Sequence, residues 1–147
     1  MDRDDLLRPT LAGHDAAAKT YKPYRLSSQV YVGFFGGALA LGAIGFLNAA
    51  LLRMPVRARI AIVAIALAAE AALVAFILAT NTDEGRIASI AAGLVAYGGA
   101  YLVQRSADRV YHFHADDEEP YQGLFGPGLL ACICARVVEA ALIYGVS

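Results

Sequence analysis

The chain has 147 residues, 59% of them hydrophobic and 17% charged, with a net charge of −1. This is one domain's length, with no overall field to gather nucleic acid or an acidic substrate. No basic run, nucleic-acid motif or Gly-rich phosphate loop occurs.

Four apolar runs instead predict an integral membrane protein, because a helix crossing the hydrocarbon layer needs about 20 mostly apolar residues. Residues 1–28 form a polar tail that includes Asp2, Asp4, Asp5 and Asp15, so the first run reads as a span and not as a cleaved leader. The tail ends in Tyr21, Lys22, Tyr24 and Arg25, an aromatic and basic mixture suited to a membrane interface. Residues 29–147 form the membrane domain. The predicted fold is all-α, a bundle of four transmembrane helices near 29–52, 59–81, 86–104 and 124–145.

The first connection, 53–59, carries three arginines and Pro55, and the second, 81–86, carries Asp83 and Glu84. The third, 105–120, is long and holds His112, His114 and the acidic run 116–119. Proline at 127 suits the first turn of the fourth helix. With four crossings both termini lie on one side, expected to be cytoplasmic. The basic residues nearest the spans then divide almost evenly, Arg53, Arg57, Arg59, Arg105 and Arg109 against Lys19, Lys22, Arg25 and Arg86.

Small residues pattern the helices: Gly33, Gly37, Ala38 and Gly42 in the first, Ala64, Ala68 and Ala72 in the second, and Ala88, Ala92, Ala96 and Ala100 in the third. In lipid such stripes are contact faces, either within the bundle or toward a partner. Asn48 is placed to hydrogen-bond a neighbouring helix. Cys132 and Cys134, two apart on a helix, point to nearly opposite sides and read as packing residues.

The stretch Phe34-Phe35-Gly36-Gly37-Ala38-Leu39-Ala40, with Tyr24 and Gln29-Val30 before it and Asn48 after it, covers about the first third of the chain. It resembles a group of small multi-pass bacterial membrane proteins of uncharacterised function, which carry Phe-x-Gly-Gly-Pro-Leu-Ala there. The resemblance implies a bacterial plasma-membrane location and no particular activity. Ala38 stands where those proteins have proline, from which a straighter first helix is expected.

Three charges sit inside the apolar runs: Glu70 in the second, Arg136 and Glu139 in the fourth. A charge at mid-membrane costs about 2.5–3.5 kcal/mol on insertion scales, so these residues should face protein and find partners. Matched depths bring Glu70 toward Arg136. Two carboxyls against one guanidinium leave one carboxyl to be protonated or matched by an external cation. His112-x-His114 would share a face in an extended segment and is a weak metal candidate, beside the simpler reading of a solvated interfacial loop. No nucleophile–base arrangement or acidic metal motif points to an enzyme or to a cofactor. The chain reads as a non-catalytic accessory or scaffold subunit of a larger membrane assembly, its partners lipids and other subunits or copies of itself. The alternative is an oligomeric channel or proton-coupled carrier using Glu70, Arg136 and Glu139.

Overall fold

Hydrocarbon offers no partner to a peptide group, so a long apolar run satisfies its backbone by becoming a helix. A computed structural model describes residues 22–80, 85–114 and 121–146. After a one-turn 3-10 helix, Leu26–Ser28, it contains α1 (Gln29–Leu51), α2 (Val56–Thr80), α3 (Gly85–His114) and α4 (Phe125–Val146). The fold is all-α, and all four helices are long and apolar enough to span a membrane. α3 runs ten residues past the predicted end at Gln104, taking in much of the expected third connection.

α1 is not straight. Gly37, at φ 74° and ψ −167°, interrupts it, a backbone conformation that essentially only glycine adopts. A Cβ built on Gly36 would overlap that of Ala40, where an unbroken helix keeps such pairs about 5–6 Å apart. The Tyr24 amide donates to Asn48 Oδ1 at 2.6 Å. Along a continuous helix Gln29 and Asn48 would be about 28 Å apart, and the chain from Tyr24 to Gln29 reaches at most about 18 Å. α1 therefore doubles back at Gly37 as a hairpin, with arms 29–36 and 38–51. The expectation of a straighter first helix, drawn from the missing proline, fails because glycine makes the reversal without one.

Register against α3 traces the same path. Gly33 packs on the Gly93 backbone, Gly37 lies beside Ser89, and Gly45 lies beside Ala100 and Gln104. The first arm thus descends along α3 and the second climbs back. α1 packs against each of the other helices, and α2 against α3. The core forms around Val32, Ala38, Leu41 and Ile44 of α1, with Ile62, Ala96 and Ala100 from its neighbours.

The hairpin defines two ends of the bundle. At its mouth lie residues 22–28, the α1–α2 turn, the end of α3 and the start of α4. Lys22 and Pro23 share a cavity there with Arg53 and His114, and the Gln122 amide donates to the Pro23 carbonyl at 3.1 Å. α4 leaves the mouth and runs away for 22 residues. The described N-terminal segment and the end of α4 are consequently at opposite ends, not on the one side expected from four crossings. Lys22, Arg25, Arg53, Arg57, Arg59, Arg105 and Arg109 gather at the mouth, while Arg86, at the start of α3, is at the far end.

The turn between α1 and α2 closes with Arg53 N donating to Ala50 O at 3.0 Å and Met54 N to Ala49 O at 2.9 Å. This is a helix-ending motif that usually places glycine where Arg53 sits, at φ 54°.

Candidate functional site: the tip of the re-entrant hairpin

Reversing the chain at Gly37 strips the preceding turn of its helical hydrogen-bond acceptor pattern, since its carbonyls lose amides one turn ahead. At membrane depth this is tolerated only where protein supplies replacements. Arg136 of α4 supplies one: its Nε donates to the Phe35 carbonyl at 2.8 Å. Its Nη1 donates to Ser89 Oγ at 2.6 Å and to Glu139 Oε2 at 2.5 Å. One guanidinium thereby ties the first arm of α1, α3 and α4 together at the tip. Gly37 has no room to spare: a Cβ there would meet Ser89 Oγ at 3.2 Å, Glu139 Oε2 at 3.8 Å and Arg136 Nη1 at 3.9 Å.

The charges follow the broken helix's own field. The first arm presents its C-terminal, carbonyl end at the tip, where a cation is favoured, and the second presents its N-terminal end, where carboxylates are favoured. Arg136 occupies the first position, and Glu139, 7% exposed, stands beside the second. Discontinuous membrane helices build ion and substrate sites from the same pairing of half-helix ends.

Glu70 reaches this cluster from α2. Ile62 lies against Gly45 and Ala66 against Gly42, so the next turn of α2 brings Glu70 level with Ala38, at the head of the second arm. It is 6% exposed and close enough for the charges of Glu139 and Arg136 to act on it. Its Oε1 is buried without a hydrogen-bond partner among the described residues. The expected approach of Glu70 and Arg136 is electrostatic. The groups directly bonded to Arg136 are Glu139, Ser89 and the Phe35 carbonyl, and a third of the Arg136 side chain remains exposed.

Near the mouth, Asn48 makes the interhelical bond expected of it. Its Nδ2 donates to Gln104 Oε1 at 2.7 Å, and Gln104 Nε2 donates to the Gly45 carbonyl at 3.3 Å. With the Tyr24 amide on Asn48 Oδ1, this latch holds the segment entering the hairpin to the segment leaving it. Gly33 and Gly42 serve close packing, on Gly93 and Ala66. Gly37 serves the reversal instead.

Of the two uses open to the small-residue stripes, packing within the bundle is not the one the α2 ladder serves. Ala64, Ala68 and Ala72 are exposed, and α2 turns Ile62, Ala66, Glu70 and Leu73 inward. His112 and His114 lie in the last turn of α3, where two-residue spacing separates them around the helix, so the extended face proposed for a metal does not form. The His112 ring stacks on Tyr121 at 6.0 Å, while His114 Nδ1 is 2.8 Å from the Val110 carbonyl. Among the described residues no three His, Cys, Asp or Glu gather as a metal site. The acidic run 116–119 lies outside the described residues. Cys132 is buried with Sγ 3.9 Å from the Val32 carbonyl, and Cys134 is exposed.

Ser89, Gln104 and the Phe35 carbonyl were not expected from sequence. Ser89 and Gln104 are single polar residues on an α3 face that reads as small-residue packing. A backbone carbonyl has no sequence signal until the break beside it is known. Comparison with protein-family models, with curated proteins and with solved structures finds no match to this chain.

Proposed function

We propose that the chain is a non-catalytic membrane protein of the bacterial plasma membrane that binds a proton or small cation at the hairpin tip, as part of an oligomeric, proton-coupled carrier. The observation that carries this reading is the buried Glu70 Oε1 without a hydrogen-bond partner among the described residues, set beside a broken helix. Arg136 is already bonded to Glu139, so Glu70 is the carboxyl the guanidinium leaves unbalanced. A proton or small cation from outside the chain restores neutrality there at far less cost than a bare charge in hydrocarbon.

The hairpin supports one orientation. Among the described residues, seven basic ones at the mouth (Lys22, Arg25, Arg53, Arg57, Arg59, Arg105 and Arg109) against Arg86 at the far end support a cytoplasmic mouth. The segment entering α1 then lies in the cytoplasm and the end of α4 outside. Oligomerisation supplies the lining that three crossings and one hairpin lack for a complete path.

The test is proton flux into liposomes holding the full chain and a pH-sensitive dye. Flux above that of empty liposomes, lost in Glu70→Gln with the detergent-solubilised assembly size unchanged, is the expected result. Wild-type flux at the empty-liposome level overturns the reading.

A second reading, an accessory subunit of a larger assembly, is favoured by the outward alanine ladder of α2. An apolar groove of about 500 Å³ beside it is lined by Leu39, Phe46, Leu47, Val63 and Leu67. Under that reading, Glu70→Gln or Glu139→Gln weakens recovery of a stoichiometric partner from mild detergent and flux is absent throughout.

A further inference from the structure

A second charged region lies at the mouth, where α3 leaves the apolar layer. A cavity of about 370 Å³ there is lined by Arg25, Arg105, Asp108, Arg109, His112 and Tyr121, among others. The order of its wall comes from Tyr121. The Arg25 guanidinium sits 5.6 Å above the ring, His112 stacks on it, and its hydroxyl bonds the Asp108 carboxylate. Asp108 balances one of the three guanidiniums. The others, on Arg105 and Arg109, are exposed at the cavity. The result is a small, net-positive cavity with forked donors matched to the oxygens of a phosphate.

What flanks the cavity narrows the source of that phosphate. On α3 the exposed side chains of Leu102 and Phe113, 60% and 85% accessible, lie one turn before Arg105 and one turn after Arg109 on the same side of the helix. A free phosphate has no use for such a border, whereas the acyl chains of a lipid cover it. Basic pockets between helices on the cytoplasmic side of a membrane bind anionic headgroups in this way.

We infer that this cavity holds the phosphate of an anionic phospholipid in the leaflet at the mouth, with Arg105 and Arg109 as its principal ligands. The leaflet assignment rests on the orientation proposed above; the cavity itself does not.

The experiment is thermal unfolding of the full chain in a neutral detergent. The additives are phosphatidylglycerol, phosphatidylcholine or soluble glycerol phosphate, at low and high salt. Phosphatidylglycerol should raise the midpoint more than phosphatidylcholine does, and salt should shrink the difference. Arg105→Gln and Arg109→Gln should each weaken the phosphatidylglycerol effect by roughly fivefold in lipid concentration. Arg57→Gln, at the same end but outside the cavity, should leave it unchanged. Equal effects of the two lipids overturn the inference, and so does a loss as large in Arg57→Gln as in the cavity variants. A shift as large with glycerol phosphate overturns the lipid assignment and leaves a free-phosphate site. The two-lipid comparison on the wild-type chain needs no variant to fold, and failure of proton flux leaves its outcome untouched.

Discussion

The two charged regions of this protein are built on opposite principles. At the hairpin tip a few charges are buried, bonded and matched to helix ends; at the mouth many charges are exposed and gathered around a cavity. Ionic groups in hydrocarbon are costly unless each has a partner, so every contact at the tip is structurally committed. Groups in the interface are solvated and screened, so those at the mouth can be exchanged cheaply and remain free to meet a ligand. Gly37 and the bonded Arg136 at the tip should therefore be the places where substitution unfolds the hairpin, and the mouth the place where it changes binding alone. Glu70, whose Oε1 is unbonded among the described residues, is the tip residue where substitution acts on binding.

The strongest way to break that contrast is Gly37→Ala. A methyl group cannot follow the φ 74° backbone without strain and would press on Ser89 Oγ at 3.2 Å. We expect destabilisation of about 2–3 kcal/mol, read as a fall in the unfolding midpoint in detergent together with new accessibility of Cys132 to a thiol reagent. If Gly37→Ala unfolds like the wild type, α1 does not double back and the site loses its foundation.

Arg136→Gln against Arg109→Gln sharpens the comparison at the level of single charges. Removing Arg136 strands Glu139 and the Phe35 carbonyl, although its partial exposure reduces the loss from the value for a fully buried pair to about 1–3 kcal/mol. Arg109, exposed at the mouth, should cost under about 1 kcal/mol. Urea unfolding of both variants in mixed micelles decides it, and equal losses would erase the distinction between tip and mouth.

How much of this was legible in the sequence divides along the same line. Four helices follow from long apolar runs with few or no charges. Glu70, Arg136 and Glu139 stand out because they contradict their surroundings, and Asn48 because a lone amide in an apolar helix needs a partner. The reversal was hidden because Gly36-Gly37 sits among Gly33 and Gly42, where glycine reads as a packing stripe, and only a backbone angle separates the two uses. A signal was nonetheless present. Counting α1 as a crossing left the basic residues evenly split across the membrane, an improbable pattern for short loops. Doubling it back moves Lys22 and Arg25 to the side of Arg53 and Arg105 and removes the balance. Ser89 offered no such handle, since a serine facing small residues is as compatible with packing as with holding a guanidinium.

The smallest effect belongs to Tyr121, the organiser of the mouth cavity. Burial, and then the neighbouring Asp108 carboxylate and the bond to it, push the Tyr121 phenol from 10.0 up to about 12. A raised acid pKa means that folding favours the protonated form. Any stability from this group is thus fully present below pH 10 and lost as pH rises toward about 12. Through the neutral range Tyr121 remains a phenol and keeps its hydrogen bond to Asp108. A phenolate absorbance titration of the wild type minus that of Tyr121→Phe should isolate a step near pH 12, displaced from the free-tyrosine value. A step at pH 10 would mean that Tyr121 is solvated and unbonded. The cavity wall would then be loose, and the phosphate site would have to order itself around its ligand.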